Sequence, residues 1–240
     1  MATETERENH HADRLTRKTA TLFFCIALFM VSLVMAAITS SKIQEFHFGS
    51  ISVLVPAGTL AFGLTYLATD VISEVWGRSY AFCVVLIGLL MRLLMMVLIL
   101  YALHAEDVFG FITVINQWSP ESQEAFESIL STSNRLNLAG MVAFAISASS
   151  DILIYHYLQQ RDAGKNRLWL RNNVSTMVSQ ILNSLIFITA GFLGALPLAA
   201  IGSLILGQIV VKIMVAAFDT PAVYLIRNFA VGRPLGDFRG

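Results

Sequence analysis

The sequence predicts an all-α, polytopic membrane protein of six transmembrane helices with both termini on the inner side. Three observations carry this reading. Of the 240 residues, 56% are hydrophobic and only 13% are charged, roughly half the charged fraction of an average soluble domain. Charge-poor runs of helical length recur from Thr19 to the C-terminal region, each long enough for a hydrocarbon core about 30 Å thick. The basic residues are sorted: assigning the segments between runs alternately to the two sides puts 12 bases inside, leaves Lys42 and Arg135 outside, and keeps Arg92 and Lys212 within helices. That bias fixes the N-in, C-in orientation.

Residues 1–18 are polar, carry both charge signs and include His10 and His11; they form a cytoplasmic tail. Arg14, Arg17 and Lys18 precede an apolar run as in a secretory signal, but residues 19–39 are too long for a signal h-region and lack a small-residue cleavage site. This run is the first span. The second covers about 53–76, the third 80–103, the fourth 138–158, the fifth 173–193 and the sixth 199–226. Together they make a membrane domain over residues 19–228, followed by a cytoplasmic tail at 229–240. Pro56 and Gly58 mark a broken or re-entrant start to the second span, because irregular backbone is tolerated at depth only inside protein or along a cavity. Pro197 falls in a tight connection where its missing N–H is harmless. Pro221, within the sixth span, is expected to kink it or end its regular part.

The long connection at about 104–134 is acidic, with Glu106, Asp107, Glu121, Glu124 and Glu127, which suits an outer loop. Its Phe109–Trp118 stretch reads as interfacial, and Ser119–Leu130 as a short amphipathic helix. Either the loop merely caps the bundle or it serves as a lid.

Composition excludes several classes. Cys25 and Cys83 lie in separate apolar runs, which makes them small fillers rather than a disulfide or metal pair. The histidines are scattered, no Walker or dinucleotide glycine motif occurs, and the formal charge is zero. Cofactor, metal and direct nucleic-acid binding are therefore not expected, and no nucleophile–base arrangement points to an enzyme.

Ionisable and amide side chains inside spans carry the functional signal, since lipid makes them expensive. Asp70 and Glu74 are four residues apart and share a helix face. They form either a titrating pair or a structural Glu74–Arg78 contact beside Asp70. Asp151 follows Ser147, Ser149 and Ser150 in the fourth span, serving a ligand or proton, or tying helices together. In the fifth span, residues 172, 176, 179, 180 and 183 make one polar stripe. Its amides suit the edge of a nucleobase, with a polar helix interface as the alternative. The sixth span carries Gln208, Lys212 and Asp219. Lys212 is expected to neutralise Asp70 or Asp151, and Arg92 needs an internal acid or a water-lined path.

The same residues carry a resemblance. Pro56-Ala-Gly-Thr-Leu60, Thr65-Tyr-Leu-Ala-Thr-Asp-Val-Ile-Ser-Glu-Val-Trp-Gly77, Arg171-Asn-Asn-Val-Ser-Thr-Met-Val-Ser-Gln180 and Val211-Lys-Ile-Met-Val-Ala-Ala-Phe-Asp-Thr-Pro221 resemble, in order and spacing, the queuosine precursor transporters, also labelled putative vitamin uptake transporters. The resemblance covers about residues 22–226. It implies a six-helix inner-membrane importer of 7-cyano- or 7-aminomethyl-7-deazaguanine, without cofactor. The family's polar positions fall on Asp70, Arg135, Asp151, Asn173, Ser175, Gln180, Lys212 and Asp219. Two positions depart: Ala148 stands where the family commonly has glutamine, and Asn183 where it has aspartate.

Joined to that identity, one buried carboxylate, Asp151 or Asp70, accepts both N–H donors of the deazaguanine edge, and Gln180, Asn173 or Asn183 serves its carbonyl and pyrrole sides. Phe62, Tyr66 and Trp169 are candidates to stack on the ring, with ordinary helix packing as the alternative. The expected partners are the small-molecule substrate, the bilayer and a second copy in a homo-oligomer. A secondary carrier works alone, whereas the substrate-binding subunit of an energy-coupling-factor importer, the alternative reading, needs an ATPase module.

Overall fold

The computed structural model describes residues 16–40, 42–48, 51–108, 118–130, 134–161, 167–194 and 196–236. The elements are helix α1 (Arg17–Thr39), strands β1 (Ile43–Phe48) and β2 (Ile51–Pro56), and helices α2 (Thr59–Trp76), α3 (Arg78–Val108), α4 (Pro120–Leu130), α5 (Asn134–Arg161), α6 (Leu168–Phe192) and α7 (Leu198–Val231). Among the described residues, five stretches are long and apolar enough to cross a membrane: Arg17–Thr39, Arg78–His104, Asn137–Arg161, Leu168–Phe192 and Leu198–Val231.

Helix α2 is different, and it organises the bundle. Eleven of its 18 residues are buried, and it packs against α1, α3, α5 and α7. At 1.5 Å per residue it is about 27 Å long, so protein neighbours rather than lipid surround most of it. A helix in that position can carry Asp70 and Glu74, because its polar groups find side-chain partners. Gly63 lets it approach α7, where an added Cβ would run into Val215. The main apolar cluster joins Phe29 and Leu33 of α1, Val71 and Ile72 of α2, Val84 of α3, Phe144 and Tyr155 of α5, and Val223 of α7.

The expected start of the second span at residue 53 is corrected, and the mostly α-helical polytopic fold also contains a short strand pair. Strands β1 and β2 pair antiparallel, with Ile43 opposite Pro56 and Phe48 opposite Ile51. Ile-Ser-Val-Leu-Val is rich in β-branched residues, which favour extended backbone, while Pro56 and Gly58 delay the helix until Thr59. Hydrophobicity alone does not separate such a strand from the start of a span. Buried Val55 packs on Val211 of α7, so the hairpin caps one end of the bundle. At Gly58 an added Cβ would clash with the Ala36 carbonyl and the Ser40 hydroxyl of the α1 end.

Two other boundaries differ. Helix α6 starts at Leu168 rather than 173, because Arg171 and Asn172 are buried among protein groups instead of marking an interface. Helix α7 continues through Pro221 to Val231 and stops at Gly232, whose φ of 76° is left-handed and whose N–H bonds back to Asn228 and Phe229. Neighbouring helices make an internal proline tolerable in such a setting. The amphipathic helix of the long connection is present as α4 and buries no residue; the interfacial reading of Phe109–Trp118 falls, except for Trp118, outside the described residues.

The Gly58 contact is with backbone and cannot relax cheaply. Gly58→Ala is expected to destabilise the detergent-solubilised protein by about 1–3 kcal/mol, the usual cost of overpacking. Gly202→Ala, where an added Cβ meets nothing within 4 Å, should leave the thermal midpoint unchanged or raise it.

Candidate functional site

Phe62, Tyr66, Asp70 and Glu74 recur every four residues along α2, so they form one line down a single face. Helix α5 runs parallel to this line at a constant offset of 81. Tyr66 donates to Ser147 Oγ at 2.8 Å, Glu74 accepts from the Tyr155 hydroxyl, and between them Asp70 stands beside Asp151. Helices α6 and α7 close the other sides, giving three rungs.

The rung nearest the hairpin is a fully oriented amide. Asn183 donates from Nδ2 to Ser147 Oγ at 3.0 Å and accepts at Oδ1 from Lys212 Nζ at 2.6 Å. Ser147 in turn donates to the Phe144 carbonyl. Lys212 Nζ also lies 5.6 Å from the centre of the Phe62 ring, within cation–π range.

In the middle rung the two carboxyl groups face each other. Thr176 donates to Asp70 Oδ2 at 3.1 Å and Ser179 to Asp151 Oδ1 at 3.2 Å. Ser175, which donates to the Asn172 carbonyl, is also within reach of Asp151. Like charges repel strongly at low dielectric, so this rung calls for something electropositive: a proton or the donor edge of a ligand. Among the described residues, the Oε1 atoms of buried Gln180 and Gln208 and Oδ2 of Asp219 have no hydrogen-bond partner.

The third rung is an ion cluster. Arg171 Nη2 donates to both Glu74 oxygens at 2.9 Å, Arg171 Nε donates to the Tyr155 hydroxyl at 3.1 Å, and Arg227 Nε lies 3.5 Å from Glu74 Oε1. One carboxylate thus holds α2, α5, α6 and α7 together at the end opposite the hairpin.

Asp70, Asp151, Ser175, Asn183 and Lys212 accordingly converge with Tyr66, Asp219 and Glu74 continue the same column, and Gln180 is buried one residue after Ser179 on α6. Two expected pairings are corrected. Glu74 pairs with Arg171 and Arg227 across the bundle, while Arg78 points outward. Lys212 meets Asn183 rather than Asp70 or Asp151. Among the described residues, Asp70, Asp151, Asp219, Lys212 and Arg92 make no ion pair, although all five are buried.

The remaining candidates lie elsewhere. Asn173 donates to the Trp169 carbonyl and Thr220 Oγ1, joining α6 to α7. Trp169 is 55% exposed on the outer face of the bundle. Arg92 lines a separate cavity with Phe62. The Arg135 side chain falls outside the described residues. Sequence reasoning passed over Tyr155 and Arg227 as partners of Glu74, and over Thr176 and Ser179 as carboxylate ligands. The first was readable in principle: Asp151 and Tyr155 repeat on α5 the four-residue spacing of Asp70 and Glu74.

Comparison with known proteins gives two matches. The family described as "Putative vitamin uptake transporter" matches residues 56–226, which takes in the first two rungs and all of the third but Arg227. The "Probable queuosine precursor transporter" of Bacillus subtilis (strain 168) is 28% identical over 175 residues, 71% of each chain. No solved structure matches.

Removing the Glu74 carboxylate strands two buried guanidinium groups. Glu74→Gln should cost about 3–5 kcal/mol, as breaking one side of a buried ion pair does, and lower the thermal midpoint accordingly. Arg78→Ala should leave it unchanged, since Arg78 takes no part in the cluster.

Proposed function

The chain belongs to the putative vitamin uptake transporter family, a family of queuosine precursor transporters rather than enzymes, and on that premise we propose that it imports a 7-deazaguanine across the cytoplasmic membrane. The substrate is 7-cyano-7-deazaguanine, 7-aminomethyl-7-deazaguanine or both, and the protein works as a secondary carrier. Its relative's name and the chemistry of the rungs support this reading. In the proposed orientation α2 adds to the five long apolar helices a crossing that is second in chain order and brings the total to six, both termini face the cytoplasm, and the Glu74 cluster lies at the cytoplasmic end. The 12 bases assigned to that side support the arrangement.

One observation carries the substrate class. Buried Asp70, Asp151, Asp219 and Lys212 lack ion-pair partners among the described residues, and on the helices that carry Ser179 and Lys212 the buried amide oxygens of Gln180 and Gln208 have no hydrogen-bond partner among the described residues. Helix packing does not require such an arrangement; a polar ligand completes it. A deazaguanine presents two adjacent N–H donors that one carboxylate accepts as a charge-assisted pair, which would also separate the facing carboxylates of the middle rung. Its pyrrole N–H suits Gln180 or Gln208. Lys212 has three N–H donors, of which one is engaged by Asn183 among the described residues, so it can serve the ring carbonyl. Asp219, with one free oxygen, suits the aminomethyl cation when present. Asn183 orients Lys212 and Ser147, with one bond at each end of its amide.

Transport needs no covalent step, only alternate exposure of this column. Opening toward the cytoplasm would separate Glu74 from Arg171 and Arg227, a motion that substrate binding must make favourable.

Asp151→Asn should reach the membrane in normal amount but reduce uptake of labelled 7-cyano-7-deazaguanine by roughly tenfold or more, the scale at which a buried charged partner is lost. Wild-type uptake by a folded variant would remove Asp151 from the site. The reading itself is tested with sealed proteoliposomes containing this protein alone: flux stimulated by an inward proton gradient is expected. Binding without flux would favour the subunit of an energy-coupling-factor importer.

A further inference from the structure

Arg92 is not explained by the three rungs. It sits on α3, a helix that packs on α5 but contributes no side chain to them. It is only 5% exposed, and among the described residues Nη1 has no hydrogen-bond partner and no acid lies within ion-pair distance. A guanidinium held this way in a membrane protein is costly and marks a functional position.

The guanidinium lines a cavity of about 110 Å³ with Phe62, Asn137, Gly140, Phe187 and Phe192. Helix α5 is cut away to receive it: a Cβ on Gly140 would lie 2.7 Å from Arg92 Nη2. Phe62 is the wall shared with the column, since its ring also receives Lys212 Nζ and it lies one turn before Tyr66 on the α2 line. The cavity therefore adjoins the hairpin-side rung with a single aromatic ring between them.

We infer that this cavity is an antechamber in which Arg92 binds the hydrogen-bond acceptor edge of a flat heterocycle before it passes Phe62 into the column. The inference rests on the proposed import function and adds to it a second site and a direction of approach. The walls choose the ligand class. Aromatic and aliphatic surface on several sides suits a planar ring better than a compact inorganic anion, whose hydration shell such walls would not replace. Arginine's planar fork suits a carbonyl or paired acceptors in that plane. The volume is below the range of about 300 Å³ and upward typical of enclosing ligand sites, so the cavity takes one edge of the ligand and not its whole body.

The test compares Arg92→Gln and Gly140→Ala with the parent protein in proteoliposomes. The first removes the guanidinium; the second displaces it and keeps it. Both should raise the half-saturation concentration for 7-cyano-7-deazaguanine uptake roughly tenfold while the maximal rate stays within about twofold, the pattern of lost initial binding rather than lost translocation. Unchanged half-saturation in both folded variants overturns the antechamber. If the parent protein neither binds nor moves this compound, the substrate reading fails, and thermal shifts with guanine, xanthine and inorganic phosphate decide the site separately. Stabilisation of the parent but not of Arg92→Gln by a carbonyl-bearing base keeps the antechamber. Stabilisation by phosphate alone, or by none of them, removes it.

Discussion

The constraint on which this structure turns is the burial of charge without opposite charge. A bundle of apolar helices can hide an ion pair, as it does at Glu74, Arg171 and Arg227. It has little structural reason to hide three aspartates, a lysine and an arginine that do not pair with one another. Desolvation penalises each of these groups, and the hydroxyls of Thr176 and Ser179 compensate only in part. The fold sets Asp70 beside Asp151 by running α2 and α5 in parallel register, so that each turn of one helix meets the matching turn of the other; Lys212 and Asp219 come from α7, and Arg92 lies in the adjoining cavity. That register makes a site out of residues 81 positions apart.

The two ends of the column are built differently, and the difference suits transport. At the α2 C-terminal end a single carboxylate ties four helices. At the hairpin end the closure is a strand, an aromatic ring and a cavity beside Arg92. Ion clusters and packed rings are both all-or-none contacts, the kind that gives discrete states instead of gradual deformation. In the proposed orientation, the conformation described here is tied shut toward the cytoplasm and has its cavity toward the outside.

Much of this was legible in the sequence, for identifiable reasons. Long apolar runs and sorted bases are strong signals, and α1, α3, α5, α6 and α7 follow them closely. Asp70, Asp151 and Lys212 stood out because charge in a span has few innocent explanations. The hairpin was missed because a β-branched apolar run reads like the start of a helix. The partners of Glu74 were missed because a neighbour in sequence, Arg78, offered a local answer, whereas the true partners lie 97 and 153 positions away. Lys212 was assigned a carboxylate on charge alone, and sequence carries no signal that Asn183 would reach it first. Trp169 shows the converse error: an aromatic residue beside a polar stripe can still face outward.

In the proposed site the carboxylates of α2 and α5 and the polar side chains of α6 and α7 hold the ligand between them. A structure of the lipid-embedded protein bound to 7-cyano-7-deazaguanine tests this most directly. The account predicts the heterocycle in the column, its N–H edge on Asp70 or Asp151 and its carbonyl toward Lys212. Ligand density elsewhere, with the facing carboxylates left as they are, would contradict it.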